Sequence, residues 1–244
     1  MQERRYYSKA PITEAIIDFR VARSSDMTLT NLDGLFAKIA VDYPHKEHSL
    51  LLESQIITGD NVEASANQTL VGYIYSSDDR KQILNAGLDG FTFSRLAPYS
   101  RWESFRDEAQ RLWDIYQLNT QSMNITRVAV RYVNRIDIPL ASGDFKRFFR
   151  TIPEVSPDLP KDLSGYFMQL QIPQVDISGM AVINQFMAPP QVSNAISIIL
   201  DIDIFQDQLL FSNERCWESL EILHAKLDDV FEACITDETR ELIK

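Results

Sequence analysis

Ile125-Thr126-Arg127-Val128-Ala129-Val130-Arg131-Tyr132-Val133-Asn134-Arg135-Ile136-Asp137-Ile138 is the stretch that decides the fold. Its two-residue period is that of a β-strand with one face toward a core. Val128, Val130, Tyr132, Ile136 and Ile138 take the inner face. Arg127, Arg131 and Arg135 share the other face, with Ala129, Val133 and Asp137 between them.

The chain on either side of this strand repeats one order of elements. Upstream, Pro11–Val21 reads as a strand with Ala15, Ile17, Phe19 and Val21 on one face and Glu14, Ile16, Asp18 and Arg20 on the other. Thr28 or Thr30 can cap a helix whose apolar side is Leu32, Leu35, Phe36 and Ile39. Strands are expected at Ser54–Thr58 and Thr69–Ser76 around a Gly59-Asp60-Asn61 turn, then over residues 80–96 with a break near Asp89-Gly90. Ser100-Arg101-Trp102-Glu103 has the pattern of a capping box, and helical spacing of Trp102, Phe105, Ala109, Leu112, Trp113 and Tyr116 follows it. Downstream, a short helix is expected at Phe145–Phe149 and strands at Tyr166–Ile177, Met180–Met187 and Ala195–Phe205, with Ser178-Gly179 as a turn. Ser212 or Asn213 caps a long helix to about Cys234, and Thr236 caps a final turn.

Each side therefore reads strand, helix, several strands, helix. A shift of 115 positions lays Trp102-Glu103-Ser104 on Trp217-Glu218-Ser219, and Arg20-Val21 on Arg135-Ile136. The expected fold is α+β, with two similar halves, residues 1–121 and 122–244, each an antiparallel sheet covered by its long helix, packed as one compact unit. That order resembles the helix-grip and TATA-binding-protein type of half-domain in tandem.

At 244 residues and 45% hydrophobic content the chain can build a sizeable core without disulfides or metals. Its net charge of -11 and pI of about 4.8 oppose generic binding to nucleic-acid phosphates. Cys216 and Cys234 fall on one helix, too far apart to bridge, which fits a reducing compartment. Met1–Tyr7 carries no apolar run of a secretion signal, and no stretch approaches membrane-spanning length. A soluble, cytoplasmic protein is expected.

Several site signatures are missing: no glycine-rich phosphate loop, no C-x-x-C, no H-E-x-x-H and no G-x-S-x-G. Their absence points away from catalysis and calls for no cofactor. His45-Lys46-Glu47-His48 is the densest histidine spot, and beside Pro44 it reads as a solvated link rather than a metal site. His224, at the edge of the last helix's apolar side, reads as a packing residue. Arg127, Arg131 and Arg135 are the candidate ligand-binding residues, since forked donors suit phosphate or carboxylate. The competing and preferred reading is a cross-strand charge ladder with Asp201, Asp203, Glu14 and Asp18. Asp201-x-Asp203 as a divalent-metal pair ranks below that ladder.

The long last helix puts Trp217, Leu220, Leu223, Leu227, Val230, Phe231 and Cys234 on one side, with Cys216. Glu214, Glu218, Glu221, Asp228, Asp229 and Glu232 form a stripe opposite. Residues 201–244 hold 12 acidic and 4 basic side chains, so most of the negative charge lies in the last fifth of the chain. The stripe is either a solvated face or a docking surface for a basic protein partner.

Three motifs run from end to end: Pro11-Ile12-x-Glu14-Ala15-Ile16, Gly90-Phe91-x-Phe93-Ser94-Arg95-Leu96-x-Pro98-Tyr99-x-x-Trp102-x-x-Phe105, and Arg131-Tyr132-x-Asn134-Arg135-Ile136; Phe231-Glu232-x-x-Ile235-Thr236 closes the chain. In these the chain resembles a sporadically distributed, uncharacterised bacterial family of conserved hypothetical proteins. The resemblance carries no catalytic residue over. A patchy distribution suits mobile cassettes such as toxin–antitoxin or phage-defence loci. The leading expectation is a non-enzymatic protein that docks a protein partner, as an antitoxin or defence component would. The alternative is a small anionic ligand bound between a helix and the sheet, and a hydrolase or phosphoryl-transfer enzyme ranks below both.

Overall fold

The computed structural model describes residues 5–23, 27–57, 63–121, 124–140, 144–160 and 163–244. Within them, alternating stretches become nine strands: β1 (Ile12–Val21), β2 (His45–Ile57), β3 (Glu63–Ser76), β4 (Gln82–Gly87), β5 (Gly90–Leu96), β6 (Ile125–Pro139), β7 (Phe167–Gln174), β8 (Gly179–Ala188) and β9 (Ala195–Phe211). They form one antiparallel sheet ordered β2-β3-β4-β5-β1-β6-β9-β8-β7. The helical stretches become α1 (Leu29–Ile39), α2 (Trp102–Thr120), α3 (Asn213–Cys234) and a short α4 (Asp237–Leu242). The molecule is thus α+β, and no helix among the described residues is long and apolar enough to cross a membrane.

One register row crosses all nine strands: Lys46, Tyr75, Leu84, Phe93, Ile17, Val130, Ile204, Ala181 and Ile172 stand side by side. Directly paired residues share a face, so this row marks the core face. Tyr75, Leu84, Phe93, Ile17, Val130, Ile204 and Ala181 are fully buried on it. Helices α1, α2 and α3 pack there. Phe36 of α1 stacks on Tyr75, Trp113 of α2 meets Phe91, and Trp217 of α3 meets Phe19.

β1 and β6 pair at the middle of the sheet, from Ile12 opposite Asn134 to Val21 opposite Ile125. Phe19 of β1, fully buried, is the keystone over that pair. Its ring meets Trp113 edge-on at 4.7 Å and Trp217 edge-on at 5.3 Å, and stacks on Phe91 at 6.0 Å. A single side chain therefore joins β1, β5, α2 and α3. Trp113 Nε1 also donates to Asn213 Oδ1 at 2.8 Å, which ties α2 to the first turn of α3.

Several local expectations change. Ser100 does not cap α2; the helix begins at Trp102 with Arg101 in the cap position and no side-chain cap bond. Burial of Trp102 against Phe105 and His224 sets that start. Phe145–Phe149 is not a helix beyond a 3-10 turn at Phe145–Arg147, because the backbone that follows is taken up elsewhere. Arg150 N donates to Cys234 O, and Thr236 N to Phe148 O. His45–His48 opens β2 instead of forming a link, and β2, β3 and β9 all run longer than expected. The Gly59-Asp60-Asn61 turn lies outside the described residues.

Phe19→Ala should cost about 3–5 kcal/mol in urea unfolding, the range for a buried aromatic truncated in a packed core. A loss under 1 kcal/mol would show that the two tryptophans pack without it.

Candidate functional site

The helices leave the other face of the sheet uncovered, and there the three arginines meet carboxylates. Arg127 donates Nη1 to Asp18 of β1 at 2.7 Å and Nη2 to Asp203 of β9 at 2.9 Å, and its guanidinium lies 4.4 Å over the Phe205 ring. Arg131 holds Asp201 in a fork, Nε at 2.6 Å and Nη2 at 2.7 Å. Asn184 of β8 adds a third donor to Asp201 at 3.0 Å. Arg135 donates to Ser197 Oγ at 2.7 Å and lies 3.4 Å from Asp137. Side chains on one sheet face at these spacings fall within reach of each other across neighbouring strands, so the stripe is a charge ladder over β1, β6 and β9. Asp201 and Asp203, the candidate metal pair, are engaged by arginine.

Burial sets the electrostatics of this ladder. Asp203 is pushed above its ordinary 3.8, first by burial, which outweighs the pull of Arg127 and Arg131, with Asp18 adding to the rise. Its Oδ1 is buried without a hydrogen-bond partner. A shallow concavity of about 450 Å³ lies over Asp18, Arg20, Thr92, Arg127, Arg131 and Asp203. Its arginines face it with guanidinium groups already committed to acids.

The acidic side of α3 divides in two. Glu221 accepts from Trp102 Nε1 at 3.0 Å and Arg106 Nη1 at 2.7 Å, so it bolts α3 to α2. Glu232 accepts from Arg240 Nε at 2.8 Å and from the Tyr7 hydroxyl. Asp228 lies 3.8 Å from His224 Nε2. Glu214, Glu218 and Asp229 are exposed, with no ion pair among the described residues.

Of the remaining reactive groups, His224 and the two thiols are built into the packing, while His45 is half-buried and His48 exposed. His224 stacks flat on Trp102, with centroids 3.9 Å apart. His48 tilts against Tyr73, and His45 lies 4.0 Å from Asp78. Cys216 and Cys234 are free and buried; burial pushes their thiols up to about 12 and about 11. Such thiols stay protonated and are poor nucleophiles at neutral pH.

A cavity of about 260 Å³ lies between the last turns of α3 and strands β7, β8 and β9. Met168, Leu170 and Ile172 line it from β7, Ala181 and Ile183 from β8, and Val230 and Cys234 from α3. It exists because α3 packs on β6 and β9. At the other end of the sheet α1 packs against α2 and β3, whereas here the described part of the connection after β6 forms no α-helix, only the Phe145–Arg147 turn and irregular chain that reaches the cavity at Thr151. Ile172 consequently stays 41% exposed on the core face. Gln185 of β8 also lines the cavity; it is 1% exposed, and its Oε1 has no hydrogen-bond partner.

Sequence reasoning passed over Gln185. Its signal was a lone polar residue in the alternating row Ala181, Ile183, Gln185, Met187, on the side that faces the core. The charge pattern had drawn attention to the opposite face. No model of a known protein family matches the chain, and no curated protein matches it.

Arg131→Met should lower stability by about 2–4 kcal/mol. It strands the 4% exposed Asp201; the 43% exposure of the arginine side chain and the remaining Asn184 bond keep the loss below the extreme for a broken buried pair. Adding Asp201→Leu should recover most of it in urea melts. An unchanged midpoint for the single variant would free Arg131 from a structural role.

Proposed function

We propose that the chain is a binding protein and not an enzyme, and that the cavity between α3 and β7–β9 takes a small, mainly apolar ligand carrying one hydrogen-bond donor. The observation that carries this reading is Gln185 Oε1, buried in the cavity wall without a partner. Leaving a buried acceptor unsatisfied costs about 1–3 kcal/mol, and a ligand N–H or O–H in the cavity relieves that cost. Small-ligand sites are typically apolar concavities with a few placed polar groups. An apolar cavity of about 150 Å³ takes up benzene, so about 260 Å³ leaves room for a ring with a short substituent. The lining side chains include no cation, which favours a neutral ligand over the anionic one expected from the arginine stripe. The commitment of the thiols, His224 and the arginines to packing and ion pairs supports a non-catalytic role.

Part of the same reading is that the sheet consists of two half-repeats, 1–121 and 122–244, about a pseudo-twofold between β1 and β6, in the helix-grip and TATA-binding-protein element order. Outward from that pair the strands run β1-β5-β4-β3-β2 on one side and β6-β9-β8-β7 on the other. In both directions the first strand of a half pairs with its last. Among the described residues the second side has no counterpart of β2 and holds a 3-10 turn where the first has α1. On this view the cavity is the space left because the connection after β6, though as long as the one after β1, forms no counterpart of α1 among the described residues. The family resemblance and a cytoplasmic setting stay within the proposal. The middle motif falls on β5 and the start of α2, where Phe91, Phe93, Trp102 and Phe105 are buried, so packing accounts for those residues. Docking of a basic protein partner rests on Glu214, Glu218 and Asp229 alone.

Indole and 1-methylindole, which differ by one N–H donor, test the site. Indole should raise the melting temperature and shift amide resonances of β7, β8 and the last turns of α3. 1-Methylindole should bind about tenfold more weakly, the equivalent of roughly one hydrogen bond. Gln185→Leu should stabilise the free protein by about 1–3 kcal/mol and abolish the preference for indole. Equal binding of the two probes, or a destabilised Gln185→Leu, would contradict the proposed role of Oε1.

A further inference from the structure

β2 and β3 outgrow the sheet. β3 pairs with β4 only over Gly72–Ser76, so the ladder from Leu50/Leu70 to Ile57/Glu63 has no third strand among the described residues. These eight β2 residues extend about 27 Å at roughly 3.4 Å per residue. The outer edge of β2 is the end of the sheet. Leu50, Leu51 and Leu52 are 51%, 48% and 63% exposed, and residues 66–69 opposite are exposed as well. A two-stranded ribbon alone is at best marginally stable in water, and becomes stable with further strands or a packing surface. Open edges in native proteins are usually blunted by Lys, Pro or a bulge. This one has Lys46 and a bulge at Ser49–Leu50 where it leaves the sheet, but beyond them it presents three consecutive exposed leucines, alternating between its faces.

We propose that this ribbon pairs with the same ribbon of a second copy of the chain, β2 against β2 antiparallel about Leu51, joining two sheets edge to edge. The sequence of β2 is self-complementary in that register. Leu51 falls opposite Leu51 of the second copy, and Leu50 opposite Leu52. Leu70 lies beside Leu50 within each copy. One face of the four-stranded ribbon then carries Leu50, Leu52 and Leu70 from both copies as a single apolar cluster. Glu53 falls opposite Ser49, so charge meets no like charge there. Such a twofold interface uses one patch on both subunits and closes on itself. Backbone donors and acceptors along the edge supply the association, and the leucines set the register. The surface is separate from the ligand cavity, which lies at the opposite end of the sheet.

Sedimentation velocity over a concentration series tests the proposal. The wild type should show a monomer–dimer equilibrium. Leu51→Lys places two ammonium groups directly opposite each other and should weaken dimerisation more than tenfold, with the melting profile of the monomer unchanged. Leu51→Cys should form an intermolecular disulfide under mild oxidation, because residue 51 lies on the twofold. Glu47→Cys, remote from its counterpart, should not, and the two native thiols are buried. A wild type that stays monomeric throughout, leaving the edge to a strand of another protein or to solvent, would overturn the proposal. So would a dimer that persists in Leu51→Lys, or crosslinking equal at 47 and 51.

Discussion

The pairing of β1 with β6, keyed by Phe19 between Trp113 and Trp217, is the contact on which the rest of the molecule depends. Without it the strands would form two separate sheets, each with an open edge at β1 or β6. With it one row of side chains runs uninterrupted from Lys46 to Ile172, and helices from both parts of the chain lie over one shared core. Aromatic pairs in edge-on geometry add roughly 0.5–1.5 kcal/mol each beyond their burial. The larger effect of Phe19 is positional, since one ring fixes where α2 and α3 sit relative to the central strands. Trp113 to Asn213, and Trp102 with Arg106 to Glu221, then close the seam between the two helices.

Placing every long helix on one side dictates the chemistry of the other side. The central strands must present residues to that uncovered face, and β6 presents three arginines. Burial by neighbouring strands makes an isolated charge there costly, so each guanidinium is held by a carboxylate or hydroxyl from β1, β6 or β9. The ladder satisfies the sheet face while leaving the helix side to shape a cavity. The charge ladder and the apolar cavity therefore sit on opposite faces of the sheet.

The central strands were readable because strict alternation leaves one register for residues such as Val128, Val130 and Tyr132. Phe19's face and the apolar side of α3 were readable for the same reason. The arginine partners were legible too, since Asp201 and Asp203 alternate in step with them on the next strand. The lengths of β2 and β3 were not legible. Lys46, Glu47 and His48 look like a solvated link, yet edge strands carry such residues because one or both faces meet water. The Phe145–Phe149 segment had helical spacing, but long-range pairing with Cys234–Thr236 overrode it. Gln185 was visible as a lone polar residue in its core-facing row, but its meaning comes from what α3 fails to cover. A local pattern carries no information about a missing neighbour.

The sheet thus has a dense centre and two ends that outreach their helices, one bearing an apolar cavity and the other an open ribbon. Native-state hydrogen exchange tests this arrangement most directly. Amides of β1, β6, β9, α2 and α3 should open together at the highest free energy, with those of β7 and of β2 beyond Ser49 exchanging through smaller local openings. Loss of protection along β1 and β6 while α2 with β4–β5, or α3 with β8–β9, stays protected would contradict it, because the seam would then join two units that stand independently.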